Sequence, residues 1–203
     1  MTQIQYPKFF AVASILLVWP ISQFLDIAIF CVLATWLIRT IWMFSIRNKI
    51  PAKILLFFQI LDIWVFSVSC YMVYVYSKLF LLGVWLLVIG IDTVGYFVGK
   101  QFGQHKIVPT ISPKKSVEGY VGAMLWVVFV ESITLIVNDI PILPLTLYFI
   151  IVYILATTGD LLVSYQKRTL NIKDSGTLIP GHGGVLDRFD SWLFVVPFVY
   201  LIV

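Results

Sequence analysis

The segment ILLFFQILDIWVFSVSCYMVYVYSKLFLLGVWLLVIGIDTVGYFVG, Ile54 to Gly99, carries only three charged residues: Asp62, Lys78 and Asp92. Each half, 54–76 and 79–99, offers about the 20 apolar residues that a helix needs to cross the hydrocarbon core. Ser77 and Lys78 separate the halves, so the segment reads as two membrane-spanning helices joined by a tight turn. The rest of the chain has the same character. Of its 203 residues, 61% are hydrophobic and 12% charged, where soluble domains carry about 25% charge. Further spans are expected at 9–25, 27–46, 117–137, 142–163 and 191–203. The first two share one apolar run broken by Pro20, Gln23 and Asp26, and the last is short and holds Pro197. The fold class is therefore an all-α integral membrane protein, a polytopic helical bundle of about seven spans. It forms a single domain over 1–203, with N-terminal spans in 1–90 and its polar signature in 91–203.

Charge placement orients the bundle. Lys8, Arg39, Arg47, Lys49, Lys53, Lys100, Lys106, Lys114, Lys115, Lys167, Arg168, Lys173 and Arg188 fall on one side of a seven-span topology, and Lys78 alone on the other. The positive-inside rule makes the first side cytoplasmic and puts the C-terminus out. Nothing after the first apolar run resembles a cleavage site, so that span is expected to be retained. Cys31 and Cys70 lie inside apolar runs and read as packing residues.

An acid at the centre of a spanning helix costs about 2.5–3.5 kcal/mol. Asp62 and Glu131, alone in their spans, read as structural acids hydrogen-bonded to a neighbouring helix, with little effect on activity expected from Asp62→Asn. Asp92 and Asp160 differ, because each stands towards the cytoplasmic end of its span, just before a basic loop. IDTVGYFVGKQFG places Asp92, Gly95 and Gly99 at helical spacings, and TTGDLLVSYQKR puts Asp160 and Ser164 on one face.

The cytoplasmic loops Lys100–Ser116 and Ser164–Asp190 then collect carboxylates (Asp92, Asp160, Asp174, Asp187, Asp190) and cations (Lys100, Lys106, Lys114, Lys115, Lys167, Arg168, Lys173, Arg188) around the turn Gly181–His182–Gly183–Gly184. Magnesium takes one or two carboxylates plus phosphate oxygens. Phosphates take Arg and Lys. Consecutive glycines bare backbone N–H groups to an anion. A helix starting near Gly184 would put Asp187 and Asp190 on one face of its first turn. The combination is that of a metal–polyphosphate site.

The run SYQKRTLNIKDSGTLIPGHGGVLDRFD, Ser164 to Asp190, resembles the signature of the phosphatidate cytidylyltransferases, or CDP-diacylglycerol synthases. Ser164, Lys167–Arg168, Lys173–Asp174, Pro180, His182–Gly183–Gly184, Asp187–Arg188 and Asp190 occur in the family's order. Asp92, Tyr96, Gly99, Phe102–Gly103 and PTISPKKSVEG, Pro109 to Gly119, extend the likeness upstream. Gly95 and Ser116 stand where the family more often has alanine and threonine, and the chain is shorter than its usual bacterial members in the N-terminal spans.

The resemblance implies that CTP and phosphatidate give CDP-diacylglycerol and pyrophosphate, with magnesium and potassium as a companion ion. It implies Asp160, Asp187 and Asp190 as metal carboxylates, and Ser164, Lys167, Arg168, Lys173 and Asp174 as residues that hold phosphates or order the loop. Asp92, Lys114, His182, Gly183, Gly184 and Arg188 join them as substrate-binding candidates. The expected setting is a bacterial inner membrane with the catalytic loops cytoplasmic. Membrane lipids and a second copy in a homodimer are the expected partners, and no nucleic acid. The competing readings are a CDP-archaeol synthase-like enzyme, a transporter, and an inactive relative with a scaffold role.

Overall fold

The computed structural model describes residues 25–45, 51–109, 111–138, 140–172, 175 and 186–202. Its helices are α1 (Leu25–Ser45), α2 (Ala52–Tyr76), α3 (Lys78–Phe102), α4 (Val117–Val137), α5 (Ile142–Thr169), α6 (Leu186–Phe189) and α7 (Trp192–Tyr200). Among the described residues there is no strand, only an isolated bridge between Lys106 and Ser116. An apolar chain in lipid must satisfy its backbone internally, and helices do so within one segment. The protein is an all-α polytopic membrane protein.

Four helices, at Lys53–Tyr76, Lys78–Phe102, Val117–Val137 and Ile142–Thr169, are long and apolar enough to cross a membrane. The expected span 27–46 is a helix whose apolar stretch, Ile29–Ile41, is shorter. The expected span 9–25 lies outside the described residues, apart from Leu25 at the start of α1. Four such spans stand among the described residues, which do not confirm the count of seven.

The turn between α2 and α3 is a single residue. Ser77 is extended (φ −157°, ψ 111°); its N–H donates to the Val73 carbonyl at 2.9 Å, and its Oγ accepts from the Phe80 N–H at 3.2 Å. It closes one helix and caps the next.

The expected last span takes a different form. At nine residues, α7 is about 13 Å long, well short of a hydrocarbon core of about 30 Å. Seven of its residues, from Trp192 to Pro197 and Val199, are buried. It is a half-helix plugged into the bundle against α1, α2 and α5. Its apolar composition matches the protein interior, and hydropathy alone does not separate that from lipid.

Helices α3 and α4 pack through small residues. A methyl built on Gly119 would lie 2.6 Å from the Gly95 carbonyl, and one on Gly122 would lie 2.6 Å from Val98. Such residues let helix backbones approach closely in membranes. Gly90 makes room for an aromatic ring, since a methyl there would stand 2.0 Å from Nε1 of Trp126. That indole donates to the Leu87 carbonyl at 3.2 Å. Gly90→Ala should force the ring out and break this bond, at a cost of about 1–3 kcal/mol for overpacking. Thermal unfolding in detergent should show the loss, and an unchanged midpoint would contradict this packing.

Arg39 is buried inside the bundle. It lies within α1, 2% exposed, with Nη1 and Nη2 at 2.8 and 2.9 Å from the two carboxylate oxygens of Asp62 on α2, itself 1% exposed. Its guanidinium also stands 4.9 Å from the Phe58 ring centre and 5.7 Å from that of Phe194 on α7. The pair neutralises itself inside the bundle, so Arg39 does not belong in the cytoplasmic charge bias.

Candidate functional site

The site begins with the length of α5. Expected to end near residue 163, the helix runs on to Thr169 and carries Ser164, Lys167 and Arg168 with it. It stops because Asn171 adopts a left-handed conformation (φ 56°). The Ile172 N–H donates to the Lys167 carbonyl at 2.9 Å and the Asn171 N–H to that of Arg168 at 3.1 Å. This is the Schellman arrangement, with asparagine in the place usually taken by glycine. Asp160, Ser164 and Lys167 therefore share one rigid helix face. Ser164 Oγ lies 3.4 Å from Asp160 Oδ1.

Two connections close on that face. The α3–α4 loop is tied to α5 where Arg168 Nε donates to the Ile111 carbonyl at 3.2 Å and where Val108 and Ile111 pack with Leu161 and Tyr165. It delivers Lys115, whose Nζ lies 2.5 Å from Asp160 Oδ2. From the other side, Lys167 Nζ donates to Asp187 Oδ1 at 2.7 Å. The second Asp187 oxygen accepts from the Ser175 N–H at 2.8 Å and its hydroxyl at 3.0 Å.

The turn after α6 completes the cluster. Asp190 Oδ1 accepts from the Ser191 N–H at 3.0 Å, and the fully buried Ser191 hydroxyl donates to Asp92 on α3 at 3.0 Å. Gly159 permits this approach, since a methyl there would meet Phe194 of α7 at 2.8 Å and the Asp190 carbonyl at 3.3 Å. Removal from water, then the charge of Asp160, hold the Asp190 carboxyl well above its ordinary range. Lys167 opposes that rise, Asp92 adds to it and Lys115 opposes it again. Asp92, Asp160 and Asp190 are thus one electrostatic neighbourhood with two ammonium groups among them.

The expected residues fall into three groups. Asp92, Asp160, Ser164, Lys167, Asp187 and Asp190 come together, and Arg168 braces the neighbouring loop. Arg188 and Lys114 are exposed; the lysine that meets Asp160 is Lys115, one residue on. Lys173, Asp174, His182, Gly183 and Gly184 lie outside the described residues. Among the described residues no three His, Cys, Asp or Glu side chains are grouped to hold a metal. Asp187 accepts from Lys167 and Ser175, and Asp190 accepts from the Ser191 N–H while feeling the charge of Asp160.

From the sequence, Lys115 stands among the loop cations without a binding role of its own, and nothing singles out Ser175 or Ser191. The adjacent lysines of SPKKS left their register open, and Ser191 follows the last signature acid with no spacing rule to mark it.

A family model described as the cytidylyltransferase family matches residues 3–203. The chain belongs to the cytidylyltransferase family. Among curated members of this family, it is 44% identical over 113 residues to a phosphatidate cytidylyltransferase of Bacillus subtilis (strain 168), a match covering 55% of this chain and 42% of the relative. It is 44% identical over 122 residues to one of Staphylococcus saprophyticus, covering 59% and 45%. It is 40% identical over 124 residues to one of Staphylococcus aureus (strain COL), again covering 59% and 45%. The chain matches less than half the length of each of these cytidylyltransferases.

The cluster suits a divalent cation in chemistry though not as a ready cage. Among the described residues its donors are carboxylate oxygens, and carboxylates outnumber ammonium groups. Magnesium is usually held by one or two protein carboxylates, with waters and substrate phosphates filling the rest. Three converging ligands are not required.

Proposed function

We propose that the chain is a phosphatidate cytidylyltransferase, acting in phospholipid biosynthesis at the cytoplasmic face of a bacterial inner membrane. The observation that carries this reading is the alternation of acids and lysines, Lys115–Asp160 and Lys167–Asp187, where α3, α5 and the α6–α7 turn meet. The lipid phosphate is the nucleophile. One of its oxygens attacks the α-phosphorus of CTP, a new P–O bond forms, and the bond from that phosphorus to the β-phosphate oxygen breaks to release pyrophosphate. The attacking oxygen is already ionised at neutral pH, so no strong general base is needed.

Two anions must meet, so catalysis consists mainly of positioning and charge stabilisation. Lys115 and Lys167 are the cations for that task, with Arg168 bracing the loop that carries Lys115. Asp160 and Asp190, with Asp187, are the carboxylates that would hold magnesium. Bound magnesium would neutralise triphosphate charge and stabilise the leaving pyrophosphate. Potassium as a companion ion and a homodimeric assembly belong to the same reading. Transporter sites lie near the bilayer midplane, whereas Lys115, Lys167, Asp187 and Asp190 stand at helix ends and in the connections, with Asp92 and Asp160 ten and nine residues inside α3 and α5; the gathering of cations at that end favours the enzyme.

The test is direct. The protein purified in detergent, given labelled CTP, phosphatidate and magnesium, should yield CDP-diacylglycerol and an equal amount of pyrophosphate. Chelation should abolish the product and added magnesium restore it. No product at any acyl-chain length would overturn the reading. Product from an archaeol phosphate but not from phosphatidate would move it to the CDP-archaeol class.

A further inference from the structure

Lys115 reaches the acidic cluster from outside the helices. Its loop is held without it: the Val117 N–H donates to the His105 carbonyl at 2.9 Å, Ser116 is buried as the cap of α4, and Arg168 grips Ile111. The backbone at Lys115 is therefore fixed, while the side chain ends on a flexible four-carbon stem. Its ion pair with Asp160 is within reach of water, the two side chains being 18% and 26% exposed.

We propose that Lys115 is a transferable counter-ion. In the ligand-free protein it holds Asp160. When a nucleoside triphosphate enters, its ammonium group passes to a phosphate oxygen and leaves the Asp160 carboxylate open to a divalent cation. This rests on the cytidylyltransferase reading and assigns a substrate-binding role to a residue outside the Ser164–Asp190 signature.

The charges around the site require something of the kind. Asp160 and Asp92 both bear on Asp190, and among the described residues Lys115 and Lys167 are the cations that oppose them there. Without Lys115 the acids would lose one of the two ammonium groups that offset them. Once a triphosphate is present, the shortage of positive charge moves to the phosphates. An ammonium group and a divalent cation compete for the same Asp160 oxygen, so vacating it serves both ligands.

The experiment titrates the full chain in detergent with magnesium alone and then with CTP, following heat of binding. Lys115→Met should tighten magnesium binding about fivefold, as expected from removing one partly exposed competitor. The same variant should weaken CTP binding about tenfold or more, through loss of a charge-assisted phosphate contact. Lys115→Arg keeps the charge and grips a carboxylate with two N–H groups, so it should weaken magnesium binding instead. Opposite shifts in the two variants support the handover, and shifts of the same sign overturn it. Unchanged CTP binding in Lys115→Met overturns it while leaving the cytidylyltransferase reading intact. Wild type that binds magnesium but no CTP overturns that reading and the handover with it.

Discussion

Removing one partner of the Arg39–Asp62 pair is expected to cost about 3–5 kcal/mol of stability, while removing both together costs little or nothing. Both side chains are almost fully buried and joined by two hydrogen bonds of 2.8 and 2.9 Å. Asp62→Leu leaves a guanidinium between α1 and α2 with no carboxylate to balance it. Arg39→Met leaves the reverse. In Arg39→Met with Asp62→Leu the charges vanish, and apolar bulk still fills the space beside Phe58 and Phe194. Unfolding midpoints of the two singles and the double form a mutant cycle. Equal losses in all three would mean that packing, not charge balance, matters at this position.

The same geometry changes what Asp62→Asn means. Read from the sequence, it was a mild substitution remote from the chemistry. In the fold it unbalances a buried cation that packs on Phe194, and Phe194 lies against Gly159, one residue from Asp160. Glu131 is the better control, since it accepts a hydrogen bond from Thr146 between α4 and α5, away from the acidic cluster.

Sequence reading succeeded where structure follows from local pattern. The runs 54–76, 79–99 and 117–137 correspond to helices within a few residues, because apolar length sets a span and Ser77, Ser116 and Pro141 mark its borders. It fell short where an environment is set by distant residues. Nothing near Trp192–Tyr200 indicates that neighbouring helices, and not lipid, would cover it. Lys167 and Arg168 looked like loop residues because they are charged, yet the helix continues until Asn171 stops it. Asp92 and Asp160 stood out by helical spacing, but the partners Ser191 and Lys115 lie 99 and 45 positions away. Which of two adjacent lysines faces inward depends on how the loop is pinned at Ile111, and local spacing does not encode that.

The largest effect on activity is expected from the acids themselves. Asp160→Asn should lower kcat/KM by about a hundred- to thousandfold, as should Asp187→Asn, because each removes a carboxylate proposed to hold the magnesium that offsets the triphosphate. Asparagine keeps the shape of the side chain, so the packing around Gly159 and Phe194 is preserved. The Lys115–Asp160 pair is partly exposed, and such pairs contribute about 1 kcal/mol or less to stability. In Asp160→Asn melting should therefore move little while the rate collapses, and that contrast separates a reacting centre from a structural tie. Asp187→Asn carries one further consequence. Its carboxylate also holds Ser175 through the N–H and the hydroxyl, so susceptibility of the Ser175 segment to proteolysis should rise in this variant and not in Asp160→Asn. Glu131→Gln should stay near wild-type activity. An Asp160→Asn protein that keeps its fold and more than about a tenth of wild-type kcat/KM would place the chemistry elsewhere, since loss of one central charge should exceed that.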